Sequence, residues 1–363
     1  MGVERVGVEN VEIDEKAEAA GGRATSVTAR VAVAGATGYT GQELLRLLAR
    51  HPGVTIAAAT SSGRATSAPA LGTSAPRPLP ALARIWDGDI TPLAPETLAA
   101  DADLVFLALP DSAAAELGPA LVDSGVRVID LSGAFRLRQA DARAKWYPET
   151  RHMPDAVAYG LTERERGSVA RARLVANPGC YPTATLLALA PLVEAGMLLP
   201  TADIIVDAKS GVSGAGKTPS ERTHFSECHG SVSAYGVFSH RHGAEIDQGV
   251  GRTVTFTPHL VPLDRGILST IYVRLAPGTT GTAVGDVFER AYAGATFVRL
   301  RGDALPEIKH VAHTNFCDIG WRVDPSGRAI VVSVIDNLLK GASGQAVQNM
   351  NVMLGFDERT ALL

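Results

Sequence analysis

A strand-like run, a glycine-rich turn and a helical pattern follow one another between residues 30 and 50, and this order constrains the fold more than any other feature of the chain. Arg30 to Ala34 is a short apolar run, typical of a buried parallel strand. Glycines at positions 35, 38 and 41 follow, and the leucines of residues 44–48 then repeat with a helical period. The segment therefore predicts a strand, a tight turn and a helix in succession.

The same alternation continues along the first half of the chain. Apolar runs at residues 54–60, 103–109 and 126–131 predict further strands, and residues 112–124 predict a helix. Connections of this length and type join parallel strands. We therefore expect an α/β fold that begins with a Rossmann-like, doubly wound parallel sheet.

After Asn177 the pattern becomes richer in strands. Residues 204–208, 253–260, 267–275 and 329–335 predict longer strands, and residues 344–355 predict a final helix. This composition favours an α+β domain on a mostly antiparallel sheet. The predicted organisation is a disordered extension over residues 1–29, a dinucleotide-binding domain over 30–177, a second domain over 178–340 and a terminal helical segment over 341–363.

Composition and charge exclude several classes of function. The 363 residues include 34 basic and 38 acidic side chains, which give a net charge of −4 and no basic run for a nucleic acid. No apolar stretch reaches the roughly 18 residues that a membrane helix needs. Three cysteines are too few for a disulfide framework. We therefore expect a cytoplasmic protein that binds neither nucleic acid nor membrane.

The glycine turn predicts a dinucleotide site. Glycine allows the backbone to approach a diphosphate group, which then lies at the N-terminus of the following helix. The candidate cofactor-binding residues of the turn are Gly35, Thr37, Gly38, Tyr39, Thr40 and Gly41. An ordinary strand–helix turn is the alternative interpretation.

The residues after the second predicted strand favour NADP over NAD. An NAD site usually has an acidic residue there that binds the ribose hydroxyls, but no Asp or Glu occurs between Glu43 and Asp87. Ser61, Ser62 and Arg64 are present instead. Hydroxyl groups and a guanidinium suit a 2′-phosphate, which a carboxylate would repel.

Cys180 is the candidate nucleophile. It follows the turn formed by Pro178 and Gly179, and a helix-like apolar segment begins just after it. The positive end of a helix dipole lowers the pKa of a thiol, so we expect an increased thiolate fraction at this position. Cys228 and Cys317 lack this context and are interpreted as structural.

His240 and His242 are the candidate acid/base residues. In an extended segment, residues two positions apart face the same side, so both imidazoles would line one cleft. The spacing of His224, Cys228 and His229 relative to this pair does not fit a zinc site, and we expect no metal.

Gly211 to Thr218 matches the P-loop pattern, which makes a nucleoside triphosphatase an alternative function. The residues after Pro219 form a poor amphipathic helix, which a P-loop requires. A flexible active-site loop is the favoured interpretation, with Ser210 and Gly211 as candidate substrate-binding residues.

Six segments together resemble the N-acetyl-γ-glutamyl-phosphate reductase family, which is related to aspartate-semialdehyde dehydrogenase. The resemblance covers about residues 31–356 and is most specific at Asn177–Ala184. The other matching segments are residues 35–41, 130–137, 210–216, 240–242 and 336–342.

The resemblance implies a two-domain, NADP-dependent enzyme that reduces a small-molecule acyl phosphate in arginine biosynthesis. Cys180 would form a thioester that NADPH reduces to the semialdehyde, with His240 as first choice and His242 as second choice for proton transfer. Arg136 would hold the substrate phosphate with both terminal nitrogens, and Asn337 would bind the nicotinamide. The resemblance also implies a homodimer or homotetramer, and packing of the terminal helix on the first domain.

Three alternatives stay open at this point. The substrate can be an aspartyl or carrier-protein-linked acyl phosphate instead of the acetylglutamyl one. A non-catalytic dinucleotide sensor explains the glycine turn and the missing acid, but leaves Cys180 incidental. A P-loop enzyme explains only one octapeptide.

Overall fold

The computed structural model describes residues 28–61 and 77–363. The expected N-terminal extension therefore lies outside the described residues except for Thr28 and Ala29, and so do Ser62 and Arg64. Among the described residues, every helix is too short or too polar to span a bilayer.

The first half of the chain forms an eight-stranded sheet. Its strands are β1 (Ala29–Ala34), β2 (Val54–Ser61), β3 (Arg77–Pro78), β4 (Asp89–Pro92), β5 (Leu104–Leu107), β6 (Arg127–Asp130), β7 (Val157–Tyr159) and β8 (Leu174–Ala176). They lie in the order β3-β4-β2-β1-β5-β6-β8-β7. All neighbouring pairs are parallel except β3 and β4 at one edge. The order reverses at β1, so the glycine turn that follows β1 lies at the switch point where doubly wound sheets bind ligands.

Helices connect these strands. They are α1 (Tyr39–Leu48), α2 (Pro95–Asp101), α3 (Asp111–Asp123), α4 (Ala140–Trp146) and α5 (Thr162–Arg171). The leucines of α1 face the sheet and are buried, because their helical spacing places them on one side of the helix. The prediction of a doubly wound parallel sheet is confirmed.

The second half forms a seven-stranded sheet with long connections. Its strands are β9 (Ile205–Gly211), β10 (Ser233–Ala234), β11 (Thr255–Val261), β12 (Ile267–Arg274), β13 (Val298–Gly302), β14 (Cys317–Val323) and β15 (Arg328–Ile335). Four of the six neighbouring pairs in the order β10-β11-β9-β12-β15-β14-β13 are antiparallel, so the prediction of a mostly antiparallel sheet is also confirmed.

The helices of this half are α6 (Cys180–Glu194), α7 (Phe225–Cys228), α8 (Arg241–Val250), α9 (Gly281–Ala291) and α10 (Gly344–Leu354). Every residue of α6 from Tyr181 to Leu192 is buried. This helix packs on the inner face of the sheet, where Leu187 meets Ile271 and Val331 in one apolar core. A helix that is apolar on all sides and too short to span a membrane is buried in the core of a domain.

The C-terminal segment returns to the first sheet. A π-helical turn, Leu339–Ser343, leads into α10, which packs against α5 and α1. The Ser343 hydroxyl donates to the Thr40 carbonyl oxygen in α1 over 2.9 Å. The chain thus brings the end of the second half against the helix that begins at the glycine turn.

Candidate active site

The glycine turn after β1 is tightly packed on one side and open on the other. Gly35 has a φ of +93°, and a Cβ there would lie 2.1 Å from the carbonyl oxygen of Ala108. A Cβ on Gly41 would lie 2.3 Å from the carbonyl oxygen of Gly35. Gly38, in contrast, has no atom closer than 3.7 Å to such a Cβ and precedes α1 without a side-chain cap. The turn therefore fits a diphosphate at the start of α1.

The other candidate cofactor residues lie around this turn. The Thr37 carbonyl oxygen accepts from Gln42 Nε2 over 2.9 Å. Tyr39 and Thr40 form the first turn of α1, and Ser61 is the last residue of β2. Apart from Asn337, which follows β15 of the other sheet, the described residues among the predicted cofactor contacts thus lie at the same edge of the first sheet, where its parallel strands end.

Cys180 is the first residue of α6, as the sequence predicted, and its side chain is partly exposed. Gly179 is the N-cap residue. The π-helical turn passes close by, because a Cβ on Gly341 would lie 2.8 Å from Cys180 Cβ. The helix start and the π-helical turn therefore fix the position of the thiol.

Arg136 lies behind the turn of residues 177–179 that precedes Cys180, here called the cysteine turn, and is only 7% exposed. Its Nε donates to the Asn177 carbonyl oxygen and its Nη2 to the Leu131 carbonyl oxygen, each over 2.8 Å. The remaining nitrogen, Nη1, lies 3.4 Å from His242 Nε2. Only Nη1 therefore faces the site, so the geometry does not favour the predicted two-nitrogen grip on a phosphate.

Glu245, which the sequence reasoning missed, connects these residues. It is 1% exposed, and its Oε1 accepts from the Gly179 N–H over 2.9 Å and from the Tyr159 hydroxyl over 2.7 Å. Its Oε2 lies 3.5 Å from Arg136 Nη1. Because residues three apart share a face of a helix, the spacing of His242 and Glu245 was a usable signal.

The environment keeps the Cys180 thiol protonated. Burial raises its pKa to about 11, and Glu245 acts in the same direction, although Arg136 and two backbone N–H groups oppose them. The backbone N–H groups at the start of α6 lower this pKa as expected, but burial outweighs them, so the expectation of an increased thiolate fraction is wrong. Reaction at neutral pH requires a base to remove the proton.

The two histidines lie at the start of α8 rather than in an extended segment, which corrects the sequence-based expectation. His240 is the N-cap residue, and its Nδ1 accepts from the His242 backbone N–H over 3.1 Å. Its ring packs edge-on against those of Tyr181, Tyr235 and Phe256. Burial and Arg241 lower its pKa to about 4.

His242 lies closer to the cysteine turn. A Cβ on Gly179 would lie 2.5 Å from His242 Nε2, so the imidazole rests against the residue that precedes Cys180. Its Nδ1 is buried and has no hydrogen-bond partner among the described residues. Burial, followed by His240 and Arg136, holds its pKa well below 6.5. His242 is therefore a neutral imidazole that packs against the residue preceding Cys180.

Ser210, Gly211 and Asn337 meet at the end of β9. Ser210 is buried, and its hydroxyl donates to the Gly211 carbonyl oxygen over 3.0 Å. Asn337 Oδ1 accepts from the Gly266 N–H over 2.7 Å, and its Nδ2 donates to Ser213 Oγ over 2.9 Å. In this structure the Asn337 amide thus holds the loop after β9.

The P-loop-like segment does not have the structure of a P-loop. After β9 the chain forms a 3₁₀ turn, Val212–Ala215, and then a second 3₁₀ turn and the four-residue α7. The next helix of more than four residues is α8, which begins only at Arg241, so no helix starts where a P-loop would bind a triphosphate. The structure also contains no cluster of three or more potential metal-ligating side chains within its described ranges.

Two family models match the two halves of the chain. Residues 30–172 match the semialdehyde dehydrogenase NAD binding domain, and residues 180–337 match the semialdehyde dehydrogenase dimerisation domain. Solved structures agree in fold: aspartate semialdehyde dehydrogenase II of Vibrio cholerae complexed with ASA has a TM-score of 0.68 and 18% identity, covering 90% of this chain and 98% of that chain. Aspartate semialdehyde dehydrogenase with NADP from Candida albicans has a TM-score of 0.67 and 16% identity over the same shares.

Curated relatives are much closer in sequence. N-acetyl-γ-glutamyl-phosphate reductase of Akkermansia muciniphila is 48% identical over 349 residues, which cover 92% of this chain and 98% of the relative. The protein of the same name from Syntrophobacter fumaroxidans is 46% identical over 342 residues, covering 92% and 97%. The chain therefore belongs to the N-acetyl-γ-glutamyl-phosphate reductase family.

Proposed function

We propose that the chain reduces N-acetyl-L-glutamyl 5-phosphate to N-acetyl-L-glutamate 5-semialdehyde and phosphate, with NADPH as reductant, in arginine biosynthesis. The observation that carries this proposal is Cys180 at the start of α6, with His242 packed against the preceding Gly179. Relatives that are 46–48% identical and named for this activity support the same substrate.

Cys180 is the proposed nucleophile. His242 removes the thiol proton, and Sγ attacks the acyl carbon of the substrate, forming a C–S bond as the C–O bond to phosphate breaks. Arg136 Nη1, which faces His242, is placed to contact the phosphate oxygens as they take up the bonding electrons. The products of this step are a Cys180 thioester and free phosphate.

NADPH, when bound, would supply the hydride that converts the thioester to the oxyanion of a thiohemiacetal. The subsequent collapse breaks the C–S bond and returns the sulfur as a thiolate, which takes back the proton held by His242. We favour His242 over His240 for this role, because His240 caps α8 with its Nδ1.

Asn337 can turn toward the nicotinamide only by releasing Ser213.

We propose NADP rather than NAD as the cofactor. The tight approach of Gly35 and Gly41 fits a diphosphate of either nucleotide. The choice rests on the sequence between Glu43 and Asp87, which lacks acidic residues and contains Ser61, Ser62 and Arg64. Without a carboxylate at the end of β2, a 2′-phosphate meets no repulsion there.

The proposal is tested by the reverse reaction, with phosphate, NADP⁺ and N-acetylglutamate semialdehyde, following NADPH formation. We expect Cys180→Ser to lower kcat by about 10⁴-fold, since the hydroxyl is a far weaker nucleophile. Cys228→Ser is the matched control and should stay within twofold. Undiminished activity of Cys180→Ser, or faster turnover of aspartate semialdehyde by the unaltered enzyme, would refute the proposal.

We also propose a homodimer built on the outer face of the seven-stranded sheet. Ile205, Tyr272 and Ile330 lie side by side on this face and are 40%, 39% and 38% exposed. Such a row of large apolar residues is typical of an interface between subunits. The match of residues 180–337 to a dimerisation domain supports this assignment.

A reducing compartment is part of the proposal. All three cysteines are free, and the mechanism requires Cys180 as a thiol rather than a disulfide. We therefore propose that the enzyme works in the cytoplasm.

A further inference from the structure

We propose that Lys217 binds the diphosphate of the nicotinamide dinucleotide, reaching it from the second half of the molecule across the cleft. The inference rests on the proposed function, because it assumes that the glycine turn holds such a nucleotide. It adds a cofactor contact that lies outside the dinucleotide-binding half.

The lysine already lies at the turn. Its Nζ donates to the carbonyl oxygen of Thr37 over 3.3 Å, although the two residues are 180 positions apart in the chain. The side chain is exposed, and no carboxylate of the described residues forms an ion pair with it. A neutral carbonyl is a weak partner for an ammonium group, whereas a phosphate oxygen forms a charge-assisted hydrogen bond with it.

The start of α1 provides the other half of the anion site. Gly38 precedes the helix without a side-chain cap, so the N–H groups of the first turn have no acceptor within the helix. A diphosphate bound there lies next to Thr37, within reach of Lys217 Nζ after a rotation of the side chain. Helix N–H groups and an ammonium then contact the same charge from two sides.

The backbone that carries Lys217 is anchored to the second half of the molecule. The Val212 N–H donates to the Leu263 carbonyl oxygen over 2.8 Å, and Ser213 Oγ accepts from Asn337. Gly216, with a φ of +84°, then turns the chain toward the glycine turn. The resemblance of residues 211–218 to a P-loop thus has a physical reason. Lys217 binds a phosphate, as the lysine of a P-loop does, but the helix whose N-terminus binds this phosphate is α1.

The test is the affinity for the reduced nucleotides, measured without substrate from the change in nicotinamide fluorescence on binding. We expect Lys217→Met to weaken NADPH binding about tenfold, as for one exposed charge-assisted hydrogen bond, and Lys217→Arg to stay within threefold. The matched control is Lys309→Met, which removes an equal charge from an exposed lysine that pairs with Glu307.

A comparison of NADPH with NADH shows whether Lys217 contacts the diphosphate or the 2′-phosphate. Equal fold losses for both nucleotides in Lys217→Met support the diphosphate, because both contain it. A loss confined to NADPH would assign the lysine to the 2′-phosphate, and unchanged binding of both would remove it from the site, so either result overturns the inference. Failure of the unaltered enzyme to bind either nucleotide would instead refute the proposed function itself.

Discussion

The glycine turn and the cysteine turn have the same local plan but opposite electrostatics. Each joins a buried parallel strand, β1 or β8, to a helix whose N-cap is a glycine without a side-chain cap. At the glycine turn, the first N–H groups of α1 are left for a ligand. At the cysteine turn, the carboxylate of Glu245 already accepts from the Gly179 N–H.

This difference explains why only one of the two turns suits an anion. A helix N-terminus favours negative charge, and at α6 an internal carboxylate supplies it. Burial raises the pKa of the Cys180 thiol and Glu245 adds to this rise, which together outweigh the lowering by Arg136 and by the N–H groups at the start of α6. We therefore propose that the cysteine turn is a site for a neutral thiol with a nearby base, whereas the glycine turn is a site for phosphate.

Among the variants that compare the two turns, loss of the base is expected to give the largest effect, and this effect should be confined to the cysteine turn. His242→Gln should lower kcat by roughly 10³-fold, because general-base catalysis of this type contributes 10²–10⁴-fold. NADPH affinity should change less than twofold, since the glycine turn is untouched. Steady-state kinetics and a fluorescence titration measure the two quantities.

The matched variant is His240→Gln. Its glutamine oxygen can still accept from the His242 N–H, so we expect a loss of about tenfold or less from altered packing. A larger loss in His240→Gln than in His242→Gln would reverse the proposed roles of the two histidines.

The glycine turn offers a pair of variants that separates stability from binding. A Cβ at Gly41 meets the Gly35 carbonyl oxygen at 2.3 Å, so Gly41→Ala should lower the free energy of unfolding by about 1–3 kcal/mol. Gly38→Ala meets nothing closer than 3.7 Å and should keep its stability, while NADPH binding weakens roughly tenfold where the diphosphate approaches. Denaturant unfolding and nucleotide titration distinguish them, and equal stability losses would contradict this account of the turn.

The contrast between the turns also shows which features could be predicted from the sequence. The glycine turn is local: the strand, the three glycines and the amphipathic helix are contiguous, and the predicted order is the observed one. The start of α6 at Cys180 was predictable for the same reason. The contact of Glu245 with Gly179 was not predictable, because the two residues lie 66 positions apart and meet only through the packing of α8 on α6.

The sequence also did not show which hydrogen-bonding groups of a side chain are already bonded to other residues. The resemblance to a family segment predicted that Arg136 binds the substrate phosphate, but two of its nitrogens are bonded to backbone carbonyls of residues 131 and 177. Asn337 is likewise bonded to Gly266 and Ser213. A sequence motif identifies which residue is present, whereas the tertiary structure decides which of its hydrogen-bonding groups is free.

The smallest predicted effect tests the electrostatic difference itself. In the nucleotide-free enzyme, the rate of Cys180 alkylation by iodoacetamide should rise with pH and reach no plateau below pH 10, because burial raises the thiol pKa to about 11. Glu245→Gln keeps an acceptor for the Gly179 N–H but removes the charge, so the pKa of Cys180 should fall and the alkylation rate at pH 8 should rise roughly three- to tenfold. Cys180→Ser identifies the signal from Cys228, the other partly exposed cysteine. A plateau below pH 8 in the unaltered enzyme would mean that the helix N-terminus outweighs burial and Glu245, and the two turns would then share one electrostatic character after all.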